Sequence, residues 1–148
     1  ILQEHVDQGL KYAKKNRLPQ AIANFIPEHQ GTLKMGYFFH KAKEQNIDIS
    51  ENDFRYKGPI PQSKETAILM LADGCEAALR AMDINASDDE AINIISNIIS
   101  SREKDGQLLD SQLSISEIFL IKRSFLNVWK RIRHRRIQYP ILKNNTFS

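Results

Sequence analysis

Residues 54–80 read FRYKGPIPQSKETAILMLADGCEAALR, and the change of character inside this stretch decides how the chain is read. Its first part is not regular helix, because Gly58, Pro59 and Pro61 break the backbone pattern. Its second part, from Ser63 to about Met82, is a long apolar helix interrupted by Asp73. A carboxylate on an apolar face is expected to be buried and to need a cation or several donors. The loop that feeds this helix runs from Gln45 to Gln62. An irregular connection of that length is uncommon in a compact domain and is usually functional or disordered. Phe54 and Tyr56 argue against disorder.

On either side the pattern is helical. Leu2, Val6, Leu10 and Ala13 recur at spacings of three and four, one face of a first helix that carries His5. Pro19 opens a short second helix, with Ile22, Phe25 and Ile26 as its buried face. A third runs from Leu33 to about Glu44 with Tyr37 and Phe38. Ser87-x-x-Glu90 is a capping box that starts a further helix, and Gly106 ends it. Ser114-x-x-Glu117 is a second box, starting a last helix that runs to about His134, with Pro140 preventing any extension. The run IINIISNIIS suggests a helix buried on more than one side, or a dimer contact. No strand-like alternation and no repeat is evident. The expectation is an all-α fold of roughly six helices.

Composition sets bounds. The chain has 148 residues, 41% hydrophobic and 26% charged, as in an ordinary globular domain. No apolar run approaches the roughly 18 residues of a membrane helix. The single cysteine, Cys75, excludes an internal disulfide and points to a reducing compartment; it is expected to pack as a small apolar residue. The net charge of +3 is mild, and much of it lies in KRIRHRR at 130–136. That run reads as a solvated helix end whose cations complement the dipole. Nucleic-acid or membrane binding is the competing reading, and no aromatic stacking platform accompanies it. His134 reads as a last-turn dipole partner, His40 as exposed, and Phe125 and Trp129 as core.

Three groups are candidates for one metal site: His5, His29 and Asp73. Imidazole and carboxylate together suit manganese, iron or zinc. His29 sits in EHQGT at 28–32, a joint between two apolar segments where a plain loop would need only Gly31. Each group alone has a plainer reading, a hydrogen-bonded histidine or an ion-paired aspartate, and no local spacing ties them together.

Their setting supplies the tie. HVDQGLKYA at 5–13, RLP at 17–19, FIPEHQGT at 25–32, YFFHKA at 37–42 and the 54–80 stretch follow one another in an order that resembles the HD superfamily of metal phosphohydrolases. The match is nearest to the HD domain of seven-transmembrane-HD proteins of the PgpH type, which hydrolyse cyclic di-AMP to pApA. The ending SF-x3-W-x4-H-x-RI-x-YP is similar too, so the resemblance covers nearly the whole chain. It implies an HD-domain helical bundle in which residues 1–148 are the C-terminal portion, lacking the helices that carry the superfamily's His-Asp pair. The chain's start at Ile1 is read as a start inside that domain. The excerpt alone is then expected to be inactive.

The resemblance further implies two divalent transition metals per complete domain, with His5, His29 and Asp73 as ligands. Gln30 stands where the family more often has histidine, a weaker ligand. Asp73 is implied as catalytic as well as ligating. Thr32 would orient water or phosphate. Lys64, Arg80 and Arg55 would meet phosphate, and Tyr56 or Phe54 would stack on adenine. The plain alternatives are a solvated first-turn Lys64, an Arg80–Glu76 pair and aromatic anchors for the loop. The implied partner is a cyclic dinucleotide or another phosphoester, with a homodimer open and no nucleic acid expected. A membrane enters only through a parent protein, placing this domain on its cytoplasmic face. The other function classes left open are a degenerate HD domain that binds without turnover and a basic helical module.

Overall fold

A computed structural model describes residues 4–45, 48 and 50–138, apart from the side chains at 37 and 135–138. Leu2 and Pro140, which figure in the sequence reading, lie outside the described residues. The helices are α1 (Glu4–Lys15), α2 (Gln20–Ala23), α3 (Phe25–Glu28), α4 (Gly36–Glu44), α5 (Lys64–Arg80), α6 (Asp88–Lys104) and α7 (Ile115–Gln138), with a 3₁₀ turn at Glu51–Phe54. No strand occurs among the described residues, and the fold is all-α, as expected.

Helix α6 is the centre of the packing. It packs against both α5 and α7, which also touch each other, and its isoleucines recur on more than one face accordingly. Ala91, Ile95 and Ile99, spaced by four, are fully buried and meet Leu71, Cys75 and Leu79 of α5 and Ile121 of α7. Each isoleucine or leucine so buried is worth about 1.5–3 kcal/mol over the exposed state. Phe125 and Trp129 pack against the same cluster, the core role expected for them.

The caps read from sequence are present as written. Ser87 Oγ accepts from Glu90 N at 3.1 Å while Glu90 Oε2 accepts from Ser87 N at 2.6 Å. Gly106 ends α6 at φ +75°. Ser114 and Glu117 repeat the reciprocal arrangement at α7. Glu117 also accepts from Lys64 Nζ at 2.6 Å, tying the first turn of α5 to that of α7.

That double role has a pH signature. The Lys64 ammonium, then the Ser114 backbone, hold the Glu117 carboxyl at about 2, below the ordinary 4.5. A depressed carboxyl contributes stability above its unfolded value and loses it as pH falls. Part of the acid loss of stability between pH 4.5 and 2 is therefore expected to vanish in Glu117→Gln. Urea midpoints measured across that window check it: equal slopes for parent and variant would remove the assignment.

Two segments depart from the sequence expectation. The helix after Pro19 is broken into α2 and α3 at Asn24; Ile22 is 54% exposed, and Ala23 and Glu28 are the buried residues. The third helix starts at Gly36 rather than Leu33, because Leu33–Met35 is paired with the loop. Met35 N donates to Phe54 O at 2.7 Å and Tyr56 N to Leu33 O at 3.0 Å, around an antiparallel Lys34–Arg55 bridge.

Cys75 is 2% exposed, and burial pushes its thiol up to about 11. At pH 8 only about one molecule in a thousand carries the reactive thiolate. Alkylation by iodoacetamide is expected to be slow in the folded chain and fast in urea; comparable rates would contradict the burial.

Candidate metal and phosphate site

The site grows out of the joint at 28–32. Gly31 adopts φ +51°, and a Cβ there would meet Gln107 Oε1 at 2.5 Å and Met70 Cε at 2.7 Å. Only glycine combines that backbone with that approach. Gln107, fully buried, accepts from Thr32 N at 3.0 Å and donates to Thr32 Oγ1 at 2.8 Å. On the other flank Glu28, 4% exposed, accepts from Gln62 N at 2.9 Å and from Thr66 Oγ1 at 2.6 Å. These contacts fasten the joint to α5 and to the turn after α6, and His29 stands between them.

His29 has a defined tautomer. Its Nδ1 lies 2.7 Å from Ile26 O and 3.0 Å from Phe25 O, so Nδ1 carries the proton and Nε2 presents its lone pair. Backbone carbonyls of this kind fix metal-ligating imidazoles. Nε2 is met at 3.1 Å by the Gln30 amide nitrogen, which must swing aside for ligation.

Helix α1 brings His5 alongside. Gly9, one turn on, lets α1 approach α3 so closely that a Cβ would stand 2.8 Å from Ile26 Cγ2. The His5 ring lies edge-on to His29 at 6.1 Å and to Tyr56 at 5.9 Å. Burial raises the Tyr56 hydroxyl above its ordinary value, and the Asp73 charge adds to the effect. His5, His29, Tyr56 and Asp73 thus share one region of the molecule.

Asp73 departs from the expectation of a buried carboxylate. It is exposed, on the flank of α5 away from the stripe formed by Ala67, Met70, Leu71 and Cys75. It lines an open polar cavity of about 700 Å³ together with Gln30, Tyr56, Arg55 and Arg102. The physical reason is that α6 covers only one side of α5; the apolar letters around Asp73 belong to faces that diverge around the helix.

As a test of fit, His29 has the tautomer and fixed ring of a ligand, and His5 is its neighbour. Among the described residues, however, no three His, Cys, Asp or Glu side chains stand close enough together to hold a metal ion. The donor set fits a transition metal in kind and is incomplete as these residues stand.

The cations expected to meet phosphate have other partners. Arg55 grips Asp105 with two prongs at 3.0 Å each and also donates to Thr32 O at 2.9 Å and Glu51 at 3.1 Å, so it clasps the loop to the end of α6. Lys64 is paired with Glu117, and its place in the first turn of α5 puts it about 13 Å along the helix from Asp73. Arg80 pairs with Glu76 at 3.6 Å and lines a different groove, between α5 and α7. Thr32 exchanges two hydrogen bonds with Gln107. Phe54 packs on Phe39 at 5.9 Å, the anchor reading. In the basic run, Lys130 and Arg133 meet Asp88 at 2.7 and 3.3 Å. Sequence reasoning missed Glu28, Gln107 and Arg102. The available signal for Gln107 was its place directly after the Gly106 cap.

No protein-family model matches the chain. An uncharacterised Synechocystis protein is 44% identical over 145 residues. Cyclic-di-AMP phosphodiesterase PgpH of Listeria monocytogenes is 39% identical and that of Bacillus subtilis 36%, each over 140 residues. These matches take in 95% of the chain but only 18–20% of the relatives, so the chain spans about a fifth of their length. The crystal structure of the L. monocytogenes PgpH HD domain with cyclic-di-AMP superposes with a TM-score of 0.83 at 37% identity, over 88% of this chain and 61% of that one. The same domain in another crystal structure gives 0.82 at 35% identity, over 90% and 62%.

Proposed function

We propose, for a chain homologous along its length to the HD domains of PgpH-type phosphodiesterases, that it is the C-terminal portion of such a domain and supplies part of a metal-dependent phosphodiesterase site acting on cyclic di-AMP. The observation that carries the reading is His29: an imidazole whose Nδ1 is pinned to two carbonyls, which leaves Nε2 to ligate, with the His5 ring 6.1 Å away. His29 and His5 would be ligands, Asp73 a third, and Gln30 a weak fourth through its amide oxygen. Residues outside these 148 complete the donor set, and without them this segment does not turn over substrate. Divalent metal, when bound, supplies a nucleophilic hydroxide and polarises the phosphodiester.

The chain's own residues do the rest. Tyr56, whose hydroxyl burial and the Asp73 charge push further above its ordinary value, offers a hydroxyl donor and an aromatic face for adenine at the cavity wall. Arg55 holds the loop that carries Tyr56. Within a longer parent the domain works at the cytoplasmic face of a membrane; among the described residues no helix is long and apolar enough to cross one.

A second reading, binding without turnover, is favoured by the Gln30 amide at His29 Nε2. The two separate in one assay. The full-length protein carrying this segment, loaded with manganese, is expected to convert cyclic di-AMP to pApA. Retained substrate binding with no pApA would favour the second reading, and neither binding nor turnover would defeat both.

A further inference from the structure

Among the described residues, three cations line the polar cavity, and two are spoken for. Lys34 meets Glu51 at 3.3 Å and lies over the Phe39 ring; Arg55 is gripped by Asp105. The third is Arg102, in the last turn of α6. It is half-buried, yet among the described residues its one hydrogen bond is from Nη1 to Ser101 Oγ at 3.2 Å. Its Nε is buried with no partner among them. A guanidinium offers five N–H donors, and leaving the buried Nε–H among them without a partner is costly.

The neighbouring helix is shaped around this side chain. Gly74 stands in the middle of α5, where glycine weakens a helix. A Cβ there would lie 3.1 Å from Arg102 Nη2 and 3.2 Å from Ile98 Cγ2. The guanidinium therefore lies across the bare backbone of α5 beside Asp73. The Asp105 and Asp73 carboxylates act on it electrostatically, but among the described residues no carboxylate forms an ion pair with it. Burial lowers its affinity for its proton, though an arginine remains charged.

We propose that Arg102 is the anion-binding residue of this cavity, holding a phosphate oxygen of the ligand beside Asp73 while Gly74 leaves room for it. This deepens the hydrolase reading and rests on it for the identity of the ligand, a nucleotide phosphoester. Arg55, Lys64 and Arg80 are matched to carboxylates. Of these four cations, only Arg102 combines burial, spare donors and a place in the cavity wall.

The test compares AMP with adenosine, so that the difference reports the phosphate alone. Affinities are measured by calorimetry on the manganese-loaded full-length protein, with metal content matched between variants. Arg102→Gln is expected to bind AMP at least about tenfold more weakly, with adenosine affinity and metal content unchanged, and Arg102→Lys to recover part of the loss. If Arg102→Gln fails to fold, Gly74→Ala decides the matter: it crowds Nη2 from beneath and is expected to weaken AMP but not adenosine. Unchanged AMP affinity in the variants overturns the proposal, as does a parent that does not distinguish AMP from adenosine. A parent that binds AMP through Arg102 but yields no pApA keeps the subsite and defeats the hydrolase reading. Turnover with an unaltered KM in Arg102→Gln does the reverse.

Discussion

Full-length protein carrying His29→Ala is expected to lose at least about 100-fold in kcat/KM for cyclic di-AMP. Even the outer partners of metal ligands are worth about 10–100-fold, so removal of a ligand should cost no less. His29 is singled out over His5 because its ring is fixed: Nδ1 is bonded within its own turn to Phe25 O and Ile26 O, leaving Nε2 as the nitrogen that would ligate. The loss should appear as reduced metal stoichiometry in mass spectrometry, with helical circular dichroism unchanged. Full activity and full metal content in the variant would take His29 out of the site. A parallel Gln30→His variant should hold metal more tightly, since imidazole replaces an amide.

Gly31→Ala is expected to destabilise the fold by about 2–5 kcal/mol. The left-handed backbone at φ +51° costs a side-chain-bearing residue about 1–2 kcal/mol. The added methyl meets Gln107 Oε1 and Met70 Cε at 2.5 and 2.7 Å, and overpacking of that kind costs about 1–3 kcal/mol. Met70 can yield, being flexible, but Gln107 is held by Thr32 and Asp105. Urea unfolding measures the difference; a change below about 0.5 kcal/mol would mean that the joint is not the tight fastening described.

These two substitutions sit side by side in the chain and probe different things, which answers why the joint needs more than a glycine. Gly31 makes the turn and admits Gln107. His29 uses the fixed turn to aim a nitrogen, and Glu28 locks the whole to the start of α5.

The parts of the fold legible in the sequence are those built from local interactions. Helices α6 and α7 were readable because Ser87 and Ser114 cap them from within a few residues, and α5 because its apolar run follows directly on the Gly58, Pro59 and Pro61 breaks. The break at Leu33 was not readable, since its cause is pairing with Phe54 and Tyr56 some twenty residues away. Asp73 was misplaced for a related reason. Its apolar neighbours in sequence lie on different faces of α5, and only the position of α6 shows which face is covered.

The cations show the same limit more sharply. Lys64, Arg80, Arg55 and Arg102 are equivalent as letters. What separates them is distance in space: Glu117 lies 53 positions from Lys64 and Asp105 50 from Arg55, whereas among the described residues no carboxylate pairs with Arg102. His5 lies beside His29, and the physical basis of that proximity, the bare Gly9 against Ile26, is a tertiary contact that no local pattern announces.

The most direct measurement is anomalous diffraction at the manganese edge from crystals of the complete domain. Metal is expected within bonding distance of His29 Nε2, with the Gln30 amide rotated off that nitrogen and His5 and Asp73 in the same coordination sphere. Metal bound with His29 Nε2 still facing the Gln30 amide nitrogen, and with His5 and Asp73 uncoordinated, would contradict it.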